Sequence, residues 1–298
     1  MKSARNILLA LAVLAFVGAA PDLRAQVEYV DPTIGGVGIL LNPTRPTVHL
    51  PNSTVRMYPM RNDQLDDQIR FFPLTIISHR LGELFSLMPG ATAAPAAWDQ
   101  EITTPYYYST RFDESLIRTE FTPTERCGYF RFTFPNGQAT VHLANLFSGD
   151  LRPEGSAAAS GEERFTNMKA YFYGEFSAPV NITTNGTDKK LLVAQAGGQT
   201  LEFRYGISFI SVEQAKTNLQ KEIPAWGFEN TKTAARQRWN DVLGRVTVEG
   251  GTDAQRRVFY TSLYRSYERM INITEDGRYY SAFDHAVHTD KQPFYVDN

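Results

Sequence analysis

The sequence contains a single cysteine, Cys127, among 298 residues, so an internal disulfide framework and a thiolate metal cluster are both excluded. Charge of one sign is also scarce, because 30 lysine and arginine residues face 32 aspartate and glutamate residues and the formal net charge is −2. Nucleic-acid binding needs a basic field, so this balance argues against a nucleic-acid partner. The sequence also lacks a serine nucleophile elbow, an HExxH helix and a P-loop.

Long hydrophobic runs are confined to the first residues of the chain. Lys2 and Arg5 precede the apolar run Ile7–Val17, and Ala25 ends a segment typical of signal-peptide cleavage. The run is shorter than the about 20 residues that a membrane-spanning helix needs. We therefore predict a signal peptide over residues 1–25, a mature chain that begins at Gln26, and export to a periplasm or to the medium.

Aromatic residues are abundant, at 12% of the chain, and suit a secreted β-rich or sugar-handling protein. Between residues 27 and 210, apolar and polar residues alternate with period two, as in strands. Leu201, Phe203 and Tyr205 alternate with Glu202 and Arg204, which predicts a strand with one apolar and one polar face. Because an apolar sheet face needs a second layer, this region predicts a large β-sandwich over residues 26–211.

Two local patterns within this region carry more specific predictions. The alternating segment Phe130–Phe134 is followed by a Pro-Asn-Gly turn and then by Val141 and Leu143, which predicts a hairpin. The segment Arg152–Gly161 is rich in alanine, serine and glycine, which predicts an irregular loop.

Helical periodicity replaces the alternation near residue 212. Glu213–Glu222 can form one helix that ends before Pro224, and a second apolar stripe from residue 228 to 243 is closed by Gly244. Thr252 and Gln255 form a capping box that starts a third helix, predicted to extend to residue 270. We assign residues 212–249 to a helical linker.

The third helix carries an apolar stripe that includes Val258, Phe259 and Leu263, and no second amphipathic helix follows it. A lone helix cannot bury such a face on itself. We therefore expect residues 250–298 to be the start of a further, truncated domain.

Several groups of residues could carry chemistry. Gly35 and Gly36 form either a tight turn or a backbone that approaches a ligand closely, and the prolines that follow argue against a dinucleotide-binding helix. His79 and Arg80 form either a satisfied strand-end pair or a donor pair for ligand hydroxyls. A segment with two histidines and two aspartates is either a metal site or a solvated loop, and it comprises Asp284, His285, His288 and Asp290.

Glycosidic cleavage needs two carboxyl groups on opposite sides of one bond. The spacing selects no pair from the available carboxylates, which are Asp66, Asp67, Asp99, Glu101, Glu120 and Glu125.

An ordered set of motifs resembles glycoside hydrolase family 92, the exported α-mannosidases. The segment YVDPTIG at residues 29–35 resembles the opening of the family. PYYYS at 105–109, EFTPTER at 120–126 and RFTFP at 131–135 follow in the same order. RVFYTSLYR at 257–265 is similar to the first helix of the family's catalytic barrel.

The resemblance implies an N-terminal β-sandwich, a helical linker and an (α/α)6 toroid. It also implies an exo-acting, inverting α-mannosidase that depends on calcium (Ca²⁺) and acts on α-mannoside glycans. The family segments that carry the general acid, the general base and most calcium ligands have no counterpart in the sequence, so we assign it no catalytic or metal-binding residue and expect it to be inactive alone.

The residues that we predict to hydrogen-bond sugar hydroxyls lie on loops or strand ends near the family-like segments, and they are Gly35, Gly36, Asn52, Arg56, His79 and Arg80. The turn after Gly36 departs from the family, which commonly continues it with a histidine. A non-catalytic carbohydrate-binding or structural β-sandwich protein stays open as an alternative function.

Overall fold

The computed structural model describes residues 26–38, 43–78, 82–184 and 191–297. The predicted signal peptide lies outside these ranges, as do His79 and Arg80. In the described part of the chain, a series of strands precedes the helices, which confirms the mainly β fold class. Among the described residues, no helix is both long and apolar enough to cross a membrane.

The strands that precede the helices within these ranges are β1 (Val48–His49), β2 (Arg56–Met57), β3 (Gln68–Ile69), β4 (Phe72–Ser78), β5 (Gly82–Pro89), β6 (Ala96–Thr104), β7 (Tyr107–Phe112), β8 (Arg118–Pro123), β9 (Cys127–Thr133), β10 (Gln138–Ala144), β11 (Ser148–Glu154), β12 (Ala158–Phe165), β13 (Met168–Phe176), β14 (Asn181–Thr184), β15 (Leu191–Gly197) and β16 (Thr200–Ser208).

These strands form two large antiparallel sheets and one short pair. Within the described ranges, the larger sheet has nine strands in the order β11-β12-β13-β16-β9-β8-β7-β6-β3, and the smaller has five in the order β14-β15-β10-β5-β4. Strands β1 and β2 pair separately. The two large sheets pack face to face, which confirms the predicted sandwich.

Both faces of the nine-stranded sheet are covered. In β9, Phe130 and Phe132 point into the core between the two sheets, whereas Cys127 and Tyr129 point toward the helices. Period-two alternation explains this division, because successive side chains of a strand lie on opposite faces. The sheet is therefore the middle layer of a three-layer arrangement.

The turn after β9 does not form the predicted hairpin. Strand β9 pairs with β8 and β16, whereas β10 pairs with β5 and β15 in the other sheet. The turn itself is present, since Gly137 has a φ of +66° and its N–H donates to the carbonyl of Phe134 at 3.1 Å. The turn thus connects a strand of the nine-stranded sheet to a strand of the five-stranded sheet, and not two paired strands of one sheet.

The predicted loop over residues 152–161 is also wrong, because most of it lies in the antiparallel pair β11–β12. Gly155 has a φ of +67° at the turn between the two strands. At Gly161 a Cβ would lie 2.7 Å from the carbonyl oxygen of Asp150. The small residues therefore permit close strand approach, and they do not mark irregular backbone.

Three helices follow in the described part, namely α1 (Val212–Glu222), α2 (Phe228–Leu243) and α3 (Asp253–Ser266). Ser211 caps α1 by accepting a hydrogen bond from the N–H of Gln214, and the capping box of Thr252 and Gln255 starts α3 as predicted. Helix α1 lies against β16, where a Cβ on Gly206 would be 2.2 Å from the carbonyl oxygen of Ala215. The polar face predicted for β16 is thus partly covered by α1.

Helix α3 ends at Ser266 rather than at residue 270, and it packs on the rest of the chain mainly through residues outside the predicted apolar stripe. Tyr260, Thr261 and Tyr264 are buried, whereas Val258 and Phe259 are 58% and 38% exposed. The tyrosines can be buried because their hydroxyls donate to backbone carbonyls: Tyr260 to Val246 at 3.1 Å and Tyr264 to Thr47. Val258 and Phe259 therefore lie on the exposed side of α3, whereas Leu263 packs partly buried against the helix-covered core.

The first described residues pack against the last helix. Gln26–Tyr29 form a short 3₁₀ helix, and the ring of Tyr29 stacks on Tyr260 with centroids 5.8 Å apart. The N–H of Asp31 donates to the Thr261 hydroxyl at 3.0 Å, and Arg265 donates to the Pro32 carbonyl at 2.9 Å. The segment is thereby fixed by α3.

The chain after α3 returns to the sandwich through short strands, which are β17 (Ile271–Asn272), β18 (Arg278–Ser281), β19 (Ala286–Thr289) and β20 (Tyr295–Val296). Glu275 is buried there and accepts hydrogen bonds from the N–H of Phe209 at 2.9 Å and the side chain of Asn218 at 2.8 Å. The residues after α3 are therefore held by β16 and α1, and the domain boundaries at residues 211 and 249 stay predictions.

Candidate functional site

A polar pocket of about 440 Å³ lies where the glycine turn, the segment between β2 and β3, and the chain after α3 meet. The residues that line it are Gly36, Pro43, Thr44, Arg45, Pro46, Arg56, Tyr58, Pro59, Arg61, Asn62, Asp63, Gln64, Ile76, Glu268 and Arg269. Its walls therefore come from both ends of the described sequence.

The glycine turn forms one wall and requires glycine at both positions. Gly35 has a φ of +80°, and a Cβ on Gly36 would lie 2.9 Å from the Thr33 carbonyl oxygen. The turn is held from two sides, because the N–H groups of Thr44 and Gln64 donate to the carbonyls of Gly35 and Gly36, both at 2.8 Å. The backbone thus approaches the pocket without a side chain in the way.

Arg56 at the start of β2 holds three chain segments together. Its Nη2 donates to the carbonyls of Ile76 at 2.7 Å and Ile77 at 2.8 Å, and its Nη1 donates to the carbonyl of Glu268 at 3.4 Å. The side chain is buried, and burial lowers the pKa of Arg56 to about 10, against the opposing charge of Glu268. The guanidinium is therefore cationic at neutral pH and fastens β4 and the chain after α3 to β2.

Two further arginines are neutralised by carboxylates behind the pocket wall. Arg45 contacts Glu83 at 2.5 Å, and Glu83 also accepts a hydrogen bond from the hydroxyl of Tyr58. Arg61 is buried and contacts Glu101 at 2.8 Å. The positive charges of Arg45 and Arg61 are therefore largely balanced.

Arg61 has a second contact that fixes its orientation. The guanidinium carbon lies 4.4 Å from the ring centroid of Trp98, and Nη2 also donates to the side chain of Gln64 at 2.7 Å. Its Nε and Nη1 atoms have no hydrogen-bond partner among the described residues. The Arg61 guanidinium is therefore oriented by the Trp98 ring and by the hydrogen bonds of Nη2.

The structure brings some of the predicted sugar-binding residues together. Gly36 and Arg56 line the same pocket, and Gly35 is adjacent to Gly36. Asn52 does not line it: its side chain donates to the carbonyl of Met270 at 2.6 Å. His79 lies outside the described residues.

Arg80 also lies outside the described residues, and sugar binding by all six predicted residues stays a prediction. Sequence reasoning missed Arg45, Arg61 and Glu268 as pocket residues. Arg45 stands between prolines at 43 and 46, and Arg61 follows Pro59 closely, so rigid turns flank both arginines. Nothing in the sequence near Glu268 relates it to the glycine turn, because their proximity depends on the packing of α3.

The carboxylates considered from the sequence are not gathered at this pocket. Glu101 lies behind it with Arg61, and Glu120 lies in a separate cluster with Arg131 and Tyr107, each at 2.8 Å. Burial by itself would raise the pKa of Glu120, but the hydrogen bonds from Arg131 and Tyr107 outweigh it and lower the pKa. Glu120 is thus an ionised structural carboxylate and does not suit the role of a general acid.

The described residues do not fit a calcium ion. Ca²⁺ takes six to eight oxygen ligands, generally with several carboxylates. Of the residues lining the pocket, Asp63 and Glu268 are carboxylates beside four arginines, and among the described residues no three acidic, histidine or cysteine side chains are grouped as for a metal. Calcium dependence therefore stays a prediction for the complete protein.

The same test applies to the histidine and aspartate segment at the β18–β19 hairpin. His288 contacts Asp284 at 2.8 Å, and the His285 ring lies 3.1 Å from the Tyr280 hydroxyl. These side chains are exposed or half-exposed and form two separate pairs. The geometry therefore favours a solvated segment over a metal site at this hairpin.

Comparison with protein families gives two adjoining matches. The model of the glycosyl hydrolase family 92 N-terminal domain matches residues 29–226. The model of the glycosyl hydrolase family 92 catalytic domain matches residues 214–298.

Solved structures show the same relationship. A family GH92 inverting mannosidase from Bacteroides thetaiotaomicron superposes with a TM-score of 0.83 and 26% identity, over 94% of this chain and 45% of that chain. A family GH92 α-mannosidase from the same organism gives a TM-score of 0.79 over 91% of this chain and 45% of that chain, and at 19% identity it supports the fold alone.

A curated relative also matches. An uncharacterized secreted glycosidase of Arthroderma benhamiae is 25% identical over an alignment of 213 residues that covers 54% of this chain and 28% of that protein. The chain therefore spans less than half the length of these relatives.

Proposed function

Because the chain belongs to glycosyl hydrolase family 92, we propose that it is the N-terminal portion of an exported, exo-acting, inverting α-mannosidase that hydrolyses α-mannosidic bonds in glycans. The observation that carries the proposal is the superposition of 94% of the chain on an inverting mannosidase at 26% identity. The polar pocket supports it, because sugar hydroxyls need donors and acceptors in one cavity.

In this proposal the residues of the chain bind and orient the sugar and do not perform the proton transfers. Inversion requires a general acid at the leaving oxygen and a general base at a water on the opposite face. The pocket supplies Asp63 and Glu268 as carboxylates, and each already accepts a hydrogen bond from the chain, Asp63 from the N–H of Leu65 and Glu268 from the Thr47 hydroxyl. We therefore expect the acid and base to come from the remainder of a longer protein.

The pocket residues can act on the sugar in three ways. The bare backbone at Gly36 allows close approach of the ligand, Arg45 offers N–H donors, and Glu268 offers carboxylate acceptors. Arg56 acts indirectly, since it holds the Glu268 carbonyl and β4 in place. Binding energy from such contacts orients a substrate for reaction with groups outside the pocket.

The test is to express the complete product of the gene that encodes this chain and to assay it on α-mannobiosides, with calcium and with a chelator. We expect release of mannose, with the β-anomer formed first as seen by NMR, because inversion changes the configuration at the anomeric carbon. We also expect the chelator to reduce the rate. The 298-residue chain assayed alone should release no mannose.

Two outcomes would contradict the proposal. Release of the α-anomer first would contradict inversion. A complete product that binds α-mannosides and cleaves none of them would favour the alternative of a non-catalytic carbohydrate-binding sandwich. Recovery of the mature protein from the medium or periplasm, with Gln26 as its first residue, would support export.

A further inference from the structure

Glu268 differs from the other carboxylate of the pocket in how it is used. Asp63 accepts a hydrogen bond from the N–H of Leu65 at 2.8 Å and so stabilises its own turn. The side chain of Glu268 is 25% exposed and lines the pocket beside Arg269. Glu268 is thus a pocket carboxylate that a ligand can reach.

One oxygen of Glu268 is fixed by a buried hydroxyl. The Oγ1 atom of Thr47 donates to Oε1 of Glu268 at 2.8 Å, and Thr47 is buried. The other oxygen, Oε2, lies 4.0 Å from Nη1 of Arg265. The backbone of Glu268 is held too, because Arg56 donates to its carbonyl. The orientation of the Glu268 carboxylate is therefore fixed before a ligand binds, which lowers the entropy cost of ligand binding.

The charges around the pocket favour an uncharged ligand. Three of the four arginines that line the pocket are paired with carboxylates outside it, namely Arg45 with Glu83, Arg61 with Glu101 and Arg269 with Asp297 at 3.8 Å. The fourth, Arg56, directs Nη2 to backbone carbonyls of β4. An anionic substituent placed near Glu268 would meet an ionised carboxylate, and like charges at close range repel. A hydroxyl at the same place would donate a charge-assisted hydrogen bond.

We propose that Glu268, positioned by Thr47, is a specificity-determining residue that accepts hydrogen bonds from hydroxyls of an uncharged sugar and rejects a sugar with an anionic group at that place. The assignment rests on the proposed function, because it takes the pocket to be the sugar-binding site. Arg45, the half-exposed guanidinium of the wall, is the donor that complements this acceptor.

The test measures equilibrium binding by calorimetry on the complete gene product, with methyl α-mannoside and its C6-carboxylate analogue as probes. We expect Glu268→Gln to weaken binding of methyl α-mannoside by about 10-fold, the effect of losing a hydrogen bond to a charged acceptor. The same variant should bind the carboxylate analogue more tightly than the wild type does. Glu249→Gln, which changes an exposed glutamate outside the pocket, is the matched control and should leave both affinities unchanged.

Thr47 is tested as a positioning residue. Thr47→Val keeps the shape and removes the hydroxyl, so we expect KM for an α-mannobioside to rise about threefold with kcat unchanged. Thr47→Ser restores the hydroxyl and should restore KM. A Thr47→Val variant with a lower melting temperature and a wild-type KM would overturn the positioning role.

The binding measurement separates this assignment from the proposed function. A product that binds methyl α-mannoside through Glu268 and releases no mannose supports the assignment and contradicts the mannosidase proposal. Unchanged affinities for both probes in Glu268→Gln overturn the assignment, whether or not the wild type cleaves mannosides.

Discussion

The two faces of the nine-stranded sheet are buried by different means. Toward the smaller sheet the contacts are aromatic and aliphatic, as where Phe130 packs between Phe121 and Phe132 with centroids 4.7 and 5.7 Å away. Toward the helices, buried polar groups are interspersed with the apolar ones. The Trp239 indole donates to the carbonyl of His49 at 2.7 Å, and Asn218 donates to Glu275 at 2.8 Å.

The two faces therefore depend on different stabilising interactions. The inner core depends on apolar area, which is nondirectional and tolerates volume-conserving change. The helix-covered face depends on individual donors and acceptors, and a buried group that loses its partner costs free energy directly. Four predictions test this contrast, from the largest expected effect to the smallest.

Phe130→Ala should lower the free energy of unfolding by about 3–5 kcal/mol, because it leaves a cavity among fully buried aromatic rings. Urea denaturation measures the change. Phe283→Ala is the matched control, since Phe283 is 97% exposed at the tip of the β18–β19 hairpin, and it should leave the unfolding midpoint unchanged. A loss at Phe130 no larger than at Phe283 would contradict the description of the inner core.

Arg56→Met should lower the free energy of unfolding by about 2–4 kcal/mol, because the carbonyls of Ile76 and Ile77 lose their donor in a buried place. Arg56→Lys keeps one cationic donor and should recover part of the loss. Denaturation of both variants against the wild type measures this. Equal stability of Arg56→Met and wild type would show that the apolar contacts alone hold this region.

His49 should make stability depend on pH. Burial lowers the pKa of His49 to about 4 from its ordinary value of 6.5. Between these values the unfolded chain binds more protons than the folded one, so the free energy of unfolding falls as pH drops, by at most about 1.4 kcal/mol per pH unit. The contribution is fully present above pH 6.5.

The groups that face His49 are those whose charges act on it, and Glu268 opposes the effect of burial whereas Arg56 and Arg265 add to it. We expect His49→Asn to flatten the dependence measured by denaturation from pH 4 to 7. The same slope in His49→Asn and wild type would assign the dependence to another group.

Glu28→Gln should change the free energy of unfolding by less than about 1 kcal/mol. Glu28 contacts Arg236 at 2.7 Å, but both side chains are more than a third exposed, and water screens such a pair. The measurement sharpens the contrast, because buried polar contacts such as those of Arg56 should contribute far more to the free energy of unfolding than this exposed one. A loss as large as that in Arg56→Met would remove the distinction.

Local patterns predicted the parts of the fold that depend on local chemistry. The ends of α1 and α2 follow from Pro224 and Gly244, and the start of α3 follows from the capping box of Thr252 and Gln255. The strands of the inner core follow from alternation. These signals act over a few residues, so one sequence is enough to interpret them.

Errors arose where the partner of a segment lies far along the chain. The turn at Gly137 has the same residues whether it joins two strands of one sheet or crosses to the other sheet. The apolar stripe read from the sequence of α3 did not include Tyr260 and Tyr264, which are buried because distant carbonyls accept their hydroxyl hydrogen bonds. The pocket was found only in part for the same reason, since Glu268 approaches Thr47 through tertiary packing.

The contact of the first described residues with α3 sets an order of events during synthesis. Asp31 and Pro32 find their hydrogen-bond partners at Thr261 and Arg265, more than 200 residues later in the chain. A chain that emerges from its amino end must therefore hold this segment unpaired until the last helix exists. Contacts of such sequence separation slow folding. That delay is compatible with the proposed export, in which the polypeptide would cross a membrane before completing its native contacts.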